Sequence, residues 1–381
     1  MRPGPAAGVD GAVVRGGADF TALGIAVGHA SDFDGATGVT VVRGARGALR
    51  AAAAVVGRAT GTREMHTLSP EHLVDRIDAV LLTGGSAYGL DAAAGVMRWM
   101  EERGRGFSVG DGVVPIVPAA VVFDLAPLGR FDARPTPAMA YDACDRAAGR
   151  GAAEGSVGAG SGATVGKGAG PEQAMKGGVG CAVAGAGAIA VGAVAVVNAF
   201  GDVRDGAGRI VAGARAAGGG FADSAALVAG GGSGGRFAAA AAASAMRYTT
   251  IALVETSAPL TRHELAQVAR AATAALYRRI TPAGTTFDGD LVFAVAALDV
   301  AEPRDVAPAA GPPPQHEVAT GAPAPRHPSD ATRVESAPLT LAELMRFETL
   351  AVLALEEAIE RAVRLARGRD GVPGCADPPT R

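Results

Sequence analysis

The chain has 381 residues, of which 49% are hydrophobic and 19% charged, so it is long enough to bury a large core or two domains. Its formal net charge of −3 gives no basis for binding nucleic acid or an anionic membrane surface. The 56 glycines follow no three-residue period, which excludes a collagen-like repeat and indicates many tight turns.

Cysteine content and apolar runs bear on location. Three widely spaced cysteines without a Cys-x-x-Cys pair predict neither a disulfide framework nor a zinc site, and they favour a reducing, cytoplasmic compartment. Residues 1–19 lack the continuous apolar core of a signal peptide. The run nearest to a membrane span, Gly178–Phe200, is mostly glycine and alanine and carries Asn198, so it predicts buried strands and no membrane association.

Hydrophobic periodicity predicts alternating strands and helices. Apolar and β-branched runs predict strands at Gly38–Arg43, Ile77–Thr83, Cys181–Val197, Ile251–Val254 and Leu291–Val295. Helical spacing predicts helices at Leu90–Glu102, Tyr141–Ala148, Thr261–Ile280 and about Thr340–Arg367. Alternation of this kind favours a layered α/β fold over a barrel.

Composition divides the chain into one main domain with less regular segments. Residues 1–22 are expected to be a loose leader and 23–300 the main domain. The proline cluster at 301–331 predicts a disordered insertion, 332–367 a helix returning to the same domain, and 368–381 a tail.

A short segment occurs twice. Ser257–Thr261 and Ser336–Thr340 are identical, and each threonine is followed three residues later by glutamate, Glu264 or Glu343. Both segments predict a helix that begins with a capping box. A strand-to-helix unit built twice is the second interpretation, which nine residues do not establish.

Several formal motif matches carry little weight. Gly230–Gly235 matches two glycine motifs only because it is a glycine run without a preceding strand. Ser161–Gly168 resembles a phosphate loop but lacks its first glycine and the Ser or Thr that would bind magnesium. The six histidines have no metal-ligand spacing.

The strand candidate that begins at Thr249 follows Ala229–Ala245, a run of small residues that predicts a surface loop. Thr249 has two interpretations: a threonine that merely favours a strand, or a nucleophile that attacks the carbonyl of Tyr248. Cleavage there would free an α-amine with a reference pKa of about 7.7–8.0, which can act as the base for its own hydroxyl.

Three further residues share this ambiguity. Asp288 and Asp290 are either turn residues around Gly289 or carboxylates that hold the new ammonium group. Asn198 is either a turn residue at the end of an apolar run or an amide that donates to an oxyanion.

Ordered sequence blocks add a resemblance. The blocks are Gly24–Ala30, Leu82–Ala92, Val114–Ala120, Gly158–Lys167, Met175–Gly178, Val197–Asp202 and Phe287–Asp290. Over about Gly24–Val300, and again in the last helix, the chain resembles the L-aminopeptidase/D-esterase family, which includes the β-peptidyl aminopeptidases.

The resemblance implies a four-layer αββα sandwich, self-cleaved between Tyr248 and Thr249 into two associated subunits. It also implies metal-free and cofactor-free hydrolysis of N-terminal amide or ester bonds in small peptides, by a homo-oligomer of cleaved heterodimers. By position, Thr249 would be the nucleophile with its freed amine as base, Asn198 the oxyanion donor, and Asp288 and Asp290 the network around the amine.

The chain departs from the family pattern at three points. Tyr248 stands where threonine-type members usually have asparagine, Asp288-Gly289-Asp290 replaces Ser-Gly-Glu, and Phe123 is expected where serine-type members have a tyrosine. Two alternatives stay open: acyl transfer, as in the similar ornithine acetyltransferases, and an unprocessed scaffold. The sequence fits both α- and β-peptide substrates, and it fits both a place in the site and a packing role for Lys167 and Lys176.

Overall fold

A computed structural model describes residues 11–17, 19–231, 248–298 and 339–378. The expected insertion at 301–331, the first ten residues and most of the expected loop at Ala229–Ala245 lie outside these ranges. Two sheets carry the fold.

The strands are β1 (Val13–Gly16), β2 (Ile25–Asp32), β3 (Thr37–Gly44), β4 (Leu49–Val55), β5 (Thr62–Arg63), β6 (Ala79–Thr83), β7 (Phe107–Ser108), β8 (Val113–Val114), β9 (Ala119–Val121), β10 (Thr164–Val165), β11 (Met175–Lys176), β12 (Gly178–Ala186), β13 (Ile189–Asn198), β14 (Asp202–Arg204), β15 (Ile210–Ala212), β16 (Thr249–Thr256), β17 (Ile280–Thr281) and β18 (Leu291–Ala297). The α-helices are α1 (Ala93–Glu101), α2 (Pro137–Arg146), α3 (Ser224–Ala229), α4 (Arg262–Ala272), α5 (Ala274–Arg279) and α6 (Leu341–Arg364).

The larger sheet has six strands in the order β1-β12-β13-β16-β18-β4. All its neighbours are antiparallel except β16 and β18, which run parallel. The second sheet has five strands in the order β2-β3-β6-β9-β5. The inner strands β6 and β18 are buried along their whole length, as expected where both faces of a sheet pack against other layers.

Alternation along β16 shows how the core is divided. Ile251 and Leu253 belong to an apolar cluster that joins the inner faces of the two sheets. Ala252 and Val254 point the other way, into a cluster shared with α4, α5 and α6. A third cluster joins the outer face of the five-stranded sheet to α1 and α2. This period of two assigns Thr249 and Thr250 to opposite faces of the sheet.

Both helices expected to begin with capping boxes do so. Thr261 caps α4 with Glu264, and Thr340 caps α6 with Glu343. The expected single helix Thr261–Ile280 is wrong in one respect, because Thr273 separates α4 from α5.

The leader expected at residues 1–22 needs a correction over its described part. Val13–Gly16 pair with β12 as the edge strand β1, because the backbone groups of that β12 edge need partners. In the described part of the chain, no helix combines the length and apolarity required to cross a bilayer.

Candidate active site

The site lies where β13 ends and β16 begins. Asn198, the last residue of β13, and Thr249, the first of β16, are direct partners in the antiparallel ladder. Both side chains are buried, with 1% of Asn198 and 5% of Thr249 exposed. Register therefore brings together two residues that lie far apart in sequence.

The Tyr248 carbonyl is held on two sides. The hydroxyl of Thr249 donates to Tyr248 O at 2.5 Å, and the backbone N–H of Gly289 donates to the same oxygen at 2.8 Å. The hydroxyl oxygen thus lies beside the peptide unit that self-cleavage would cut, and a backbone donor is aimed at the oxygen where negative charge would develop.

Glycine at position 289 is required by this close approach. A Cβ there would lie 2.8 Å from Thr249 Oγ1 and 2.7 Å from Ala59 O. Any side chain would displace Thr249 or the Ala59 backbone from the segment that precedes β18.

Asp288 and Asp290 flank this glycine and are both buried. Asp290 Oδ1 accepts from the N–H of Thr250 at 2.6 Å, and its Oδ2 accepts from Gly284 N at 3.1 Å. Asp288 Oδ2 accepts from Thr285 N at 2.7 Å. Asp290 therefore contacts the residue that follows Thr249, and Asp288 accepts from the turn that precedes it.

Burial dominates the electrostatics of this pair. Loss of solvation, followed by repulsion from Asp288, raises the pKa of Asp290 to about 7. Burial also raises the pKa of Asp288, against hydrogen bonds from Thr285 that lower it. Both carboxyls therefore ionise less readily than exposed aspartates, as is common at functional sites.

The Asn198 amide is oriented by its partners. Its Oδ1 accepts from Thr164 N at 3.0 Å and from Lys167 Nζ at 3.0 Å, and its Nδ2 donates to Phe123 O at 3.0 Å. Phe123 thus lies beside Asn198, and its contribution to this hydrogen bond comes from the backbone. An amide nitrogen carries two donors, and the Phe123 carbonyl takes one of them.

Lys167 is the residue whose role the sequence left undecided. Its Nζ donates to the carbonyls of Thr164, Asn198 and Ala199 as well as to Asn198 Oδ1. Burial lowers the pKa of Lys167 to about 7, although the charge of Asp288 works in the opposite direction. In the sequence, Lys167 lies in a discounted phosphate-loop match and in the Gly158–Lys167 block of the family resemblance, and neither assigns it a role.

Lys176 is a second buried lysine with different partners. Its Nζ donates to the carbonyls of Gly160, Ala163 and Gly177, and burial lowers its pKa to about 7 as well. Gly160 and Ala163 lie in the turn that leads into β10, and Gly177 follows Lys176 directly, so Lys176 joins that turn to the end of β11.

The described residues include no group of three or more His, Cys, Asp or Glu side chains that could hold a metal ion. The groups present around Tyr248 are a hydroxyl, a backbone donor, an amide, two carboxyls and a lysine. These are the parts of acyl transfer to a hydroxyl, with proton transfer by neighbouring groups.

Solved structures of similar architecture define the class of fold. A β-aminopeptidase from a Burkholderia species superposes with a TM-score of 0.62 at 19% identity, covering 94% of this chain and 91% of that one. The L-aminopeptidase D-Ala-esterase/amidase of Ochrobactrum anthropi, described as a variant of the Ntn hydrolase fold, superposes with a TM-score of 0.60 at 18% identity, covering 92% and 86%. The chain has this N-terminal nucleophile hydrolase fold.

Sequence comparison adds the family. The profile of peptidase family S58 matches residues 22–375, and the chain belongs to that family. An uncharacterised aminopeptidase of Mycobacterium tuberculosis is 41% identical over 291 residues, covering 74% of this chain and 82% of the relative. A 6-aminohexanoate-oligomer endohydrolase of a Kocuria species is 30% identical over 293 residues, covering 74% and 75%. The chain is accordingly a peptidase-type hydrolase.

Proposed function

We propose that the chain is a self-processing aminopeptidase or amidase whose nucleophile is Thr249. The observation that carries this proposal is the Tyr248 carbonyl, which accepts from both Thr249 Oγ1 and Gly289 N. A buried peptide carbonyl between a hydroxyl and a backbone donor is poised for attack by that hydroxyl. Family membership and the names of the relatives favour hydrolysis over acyl transfer.

Self-cleavage follows as an acyl shift. Thr249 Oγ1 bonds to the carbonyl carbon of Tyr248 and loses its proton, and the carbon–nitrogen bond breaks as the nitrogen of Thr249 takes up a proton. Water then hydrolyses the ester, which leaves a carboxylate on Tyr248 and a free amine and hydroxyl on Thr249. The N–H of Gly289 would stabilise the oxyanion at each tetrahedral stage.

Substrate hydrolysis repeats the same steps with an external amide. The amine of Thr249 takes the proton of its own hydroxyl and passes it to the leaving amine. Asp288 and Asp290 would hold the resulting ammonium, because their ionised forms are favoured beside a positive charge. Asn198 would donate to the oxyanion, and Lys167 would keep its amide in that orientation.

The proposal extends to architecture and assembly. Helices α1 and α2 pack outside one sheet and α4 to α6 outside the other, which supports the four-layer αββα order. The two fragments would stay together, and a homo-oligomer of such heterodimers in the cytoplasm remains our expectation. Small peptides with a free amino end, or short linear amides, are the proposed substrates.

Intact mass under denaturing conditions tests this function. Wild-type protein should give fragments 1–248 and 249–381, whereas Thr249→Ala should remain a single chain because it lacks the hydroxyl. Thr249→Ser is the matched control, since it keeps a hydroxyl and should still be cleaved. A wild-type chain that stays whole after long incubation would contradict the proposal and favour the scaffold alternative.

A further inference from the structure

The side chain of Tyr248 is buried beside Thr249, in a pocket that we define by Phe200 and Lys167. Only 7% of Tyr248 is exposed, and its ring centroid lies 5.0 Å from that of Phe200. The ammonium nitrogen of Lys167 lies 5.1 Å from the centre of the same ring. An aromatic wall and a cation near a ring form a site that favours aromatic side chains.

The walls of this pocket are fixed by backbone pairing. Lys167 N donates to Phe200 O at 2.8 Å, and Gly166 N donates to Gly201 O at 3.0 Å. The segment carrying Phe200 is therefore bound to the segment carrying Lys167. Phe200 is itself half-buried, so the pocket has one side toward solvent.

The pocket has a fixed position relative to the carbonyl group of Tyr248, which is the group that would react. Tyr248 O is bound by Gly289 N, and Tyr248 pairs with Asp288 in a parallel bridge. The carbonyl oxygen accepts from Gly289 N and from Thr249 Oγ1, while the Cα on the other side of the carbonyl carbon carries the ring into the pocket.

We propose that this pocket, emptied when Tyr248 withdraws after cleavage, binds the amino-terminal side chain of the substrate, and that the preferred substrates carry an aromatic residue there. The inference rests on the proposed function, because it requires the same hydroxyl to attack an external carbonyl. Since that carbonyl meets the same backbone donor, the acyl group of the substrate takes the direction that Tyr248 takes in the precursor. The side chain of Tyr248 in the precursor therefore indicates which acyl side chain the pocket accepts from a substrate.

The experiment measures kcat/KM of fully cleaved protein for L-phenylalanyl, L-tyrosyl, L-leucyl and L-alanyl p-nitroanilides. We expect both aromatic substrates to exceed the alanyl one by at least about tenfold, because even a single methylene in an apolar pocket contributes about 10-fold to 200-fold. Phe200→Ala should lower kcat/KM for the phenylalanyl substrate while changing the alanyl value little. Phe200→Leu serves if the alanine variant fails to fold.

Phe107→Ala is the matched control, because Phe107 is an aromatic residue with 40% exposure on β7 and outside the pocket. It should leave the order of substrates unchanged. An alanyl preference that Phe200→Ala does not alter would overturn the inference and leave the proposed function standing. Absence of hydrolysis of every substrate by fully cleaved protein would contradict the proposed function itself, and the inference would fall with it.

Discussion

The backbone N–H of Thr250 donates to Oδ1 of Asp290 at 2.6 Å, and this bond connects the start of β16 to the segment before β18. Asp290 thereby contacts the residue next to Thr249, the proposed nucleophile, and carries a pKa raised to about 7 by burial and by Asp288. Its charge therefore changes close to neutral pH.

Self-cleavage should slow as the pH falls below about 7, because protonation of Asp290 removes a negative charge beside Thr249. The precursor has no free amine at Thr249. The decrease in its cleavage rate at low pH must therefore come from the protonation of neighbouring groups. Asp290→Asn should slow cleavage and make the cleavage rate less dependent on pH below about 7. The measurement is the fraction cleaved against time after refolding from pH 5 to 9.

Asp78→Asn is the control for this experiment. Asp78 is also buried, burial raises its pKa, and it accepts a backbone hydrogen bond from Ile116, but it lies before β6. Its variant should keep the wild-type pH profile. An unchanged profile in Asp290→Asn would contradict the assignment of the decrease at low pH to Asp290.

Asn198→Asp tests the amide donor while keeping the acceptor oxygen for Thr164 and Lys167. Loss of one oxyanion donor costs about 10²-fold to 10³-fold in rate, equal to about 2.7–4 kcal/mol. We expect a decrease of that size in kcat for an external substrate, measured on cleaved protein. If the variant has the wild-type kcat, Asn198 does not donate to the oxyanion.

The two buried lysines offer a matched pair. Lys167→Met leaves the Asn198 amide without its ammonium partner, so self-cleavage should slow by about 10²-fold. Lys176→Met also leaves buried carbonyls without a hydrogen-bond donor, which costs about 1–3 kcal/mol of stability for each. The two variants should therefore be destabilised to a similar degree.

Thermal unfolding and cleavage time courses together separate the two lysine variants. We expect comparable decreases in Tm, with slow cleavage confined to Lys167→Met. Equal cleavage rates in the two variants would show that Lys167 acts only through stability.

Glu255 presents a different kind of test. It is 0% exposed on β16, and neither carboxyl oxygen has a well-formed hydrogen bond among the described residues, although an interaction with the Ala297 backbone partly offsets the effect of burial. Burial raises the pKa of Glu255 well above its ordinary value. The folded protein therefore keeps a proton that the unfolded chain releases.

The sign of the linkage follows from that proton. The contribution of Glu255 is fully present below the unfolded pKa of about 4.3, and it is lost as pH rises, by up to about 1.4 kcal/mol per pH unit. Glu255→Gln should therefore raise Tm at pH 8 more than at pH 5. Glu71→Gln, at an exposed position, should change neither value, and equal shifts at both pH values in Glu255→Gln would contradict the account.

Local patterns predicted β16, α6 and both capping boxes, because each depends on residues close together in the chain. The break at Thr273 was not predictable, since apolar spacing continues from α4 into α5. The edge strand β1 gains its structure from pairing with β12, and its four residues carry little signal of their own.

The candidate site divides in the same way. Thr249 and the Asp288–Asp290 segment stood out as local motifs and through the family resemblance. The position of Lys167 depends on a long-range approach to Asn198 and Ala199, so no spacing in the sequence could indicate it. Gly289 likewise gains a role only from the donor that its backbone directs at Tyr248.

The order of strands in the larger sheet has a consequence for the proposed cleavage. β16 and β18 come after the proposed cleavage point, yet they lie between β13 and β4, which both come before it. Neither of the two proposed fragments would hold the six-stranded sheet alone, so separately produced halves should not fold as independent units. We therefore expect the intact chain to assemble the sheet first, and the proposed cut would then remove a covalent link from a sheet whose strands are already paired.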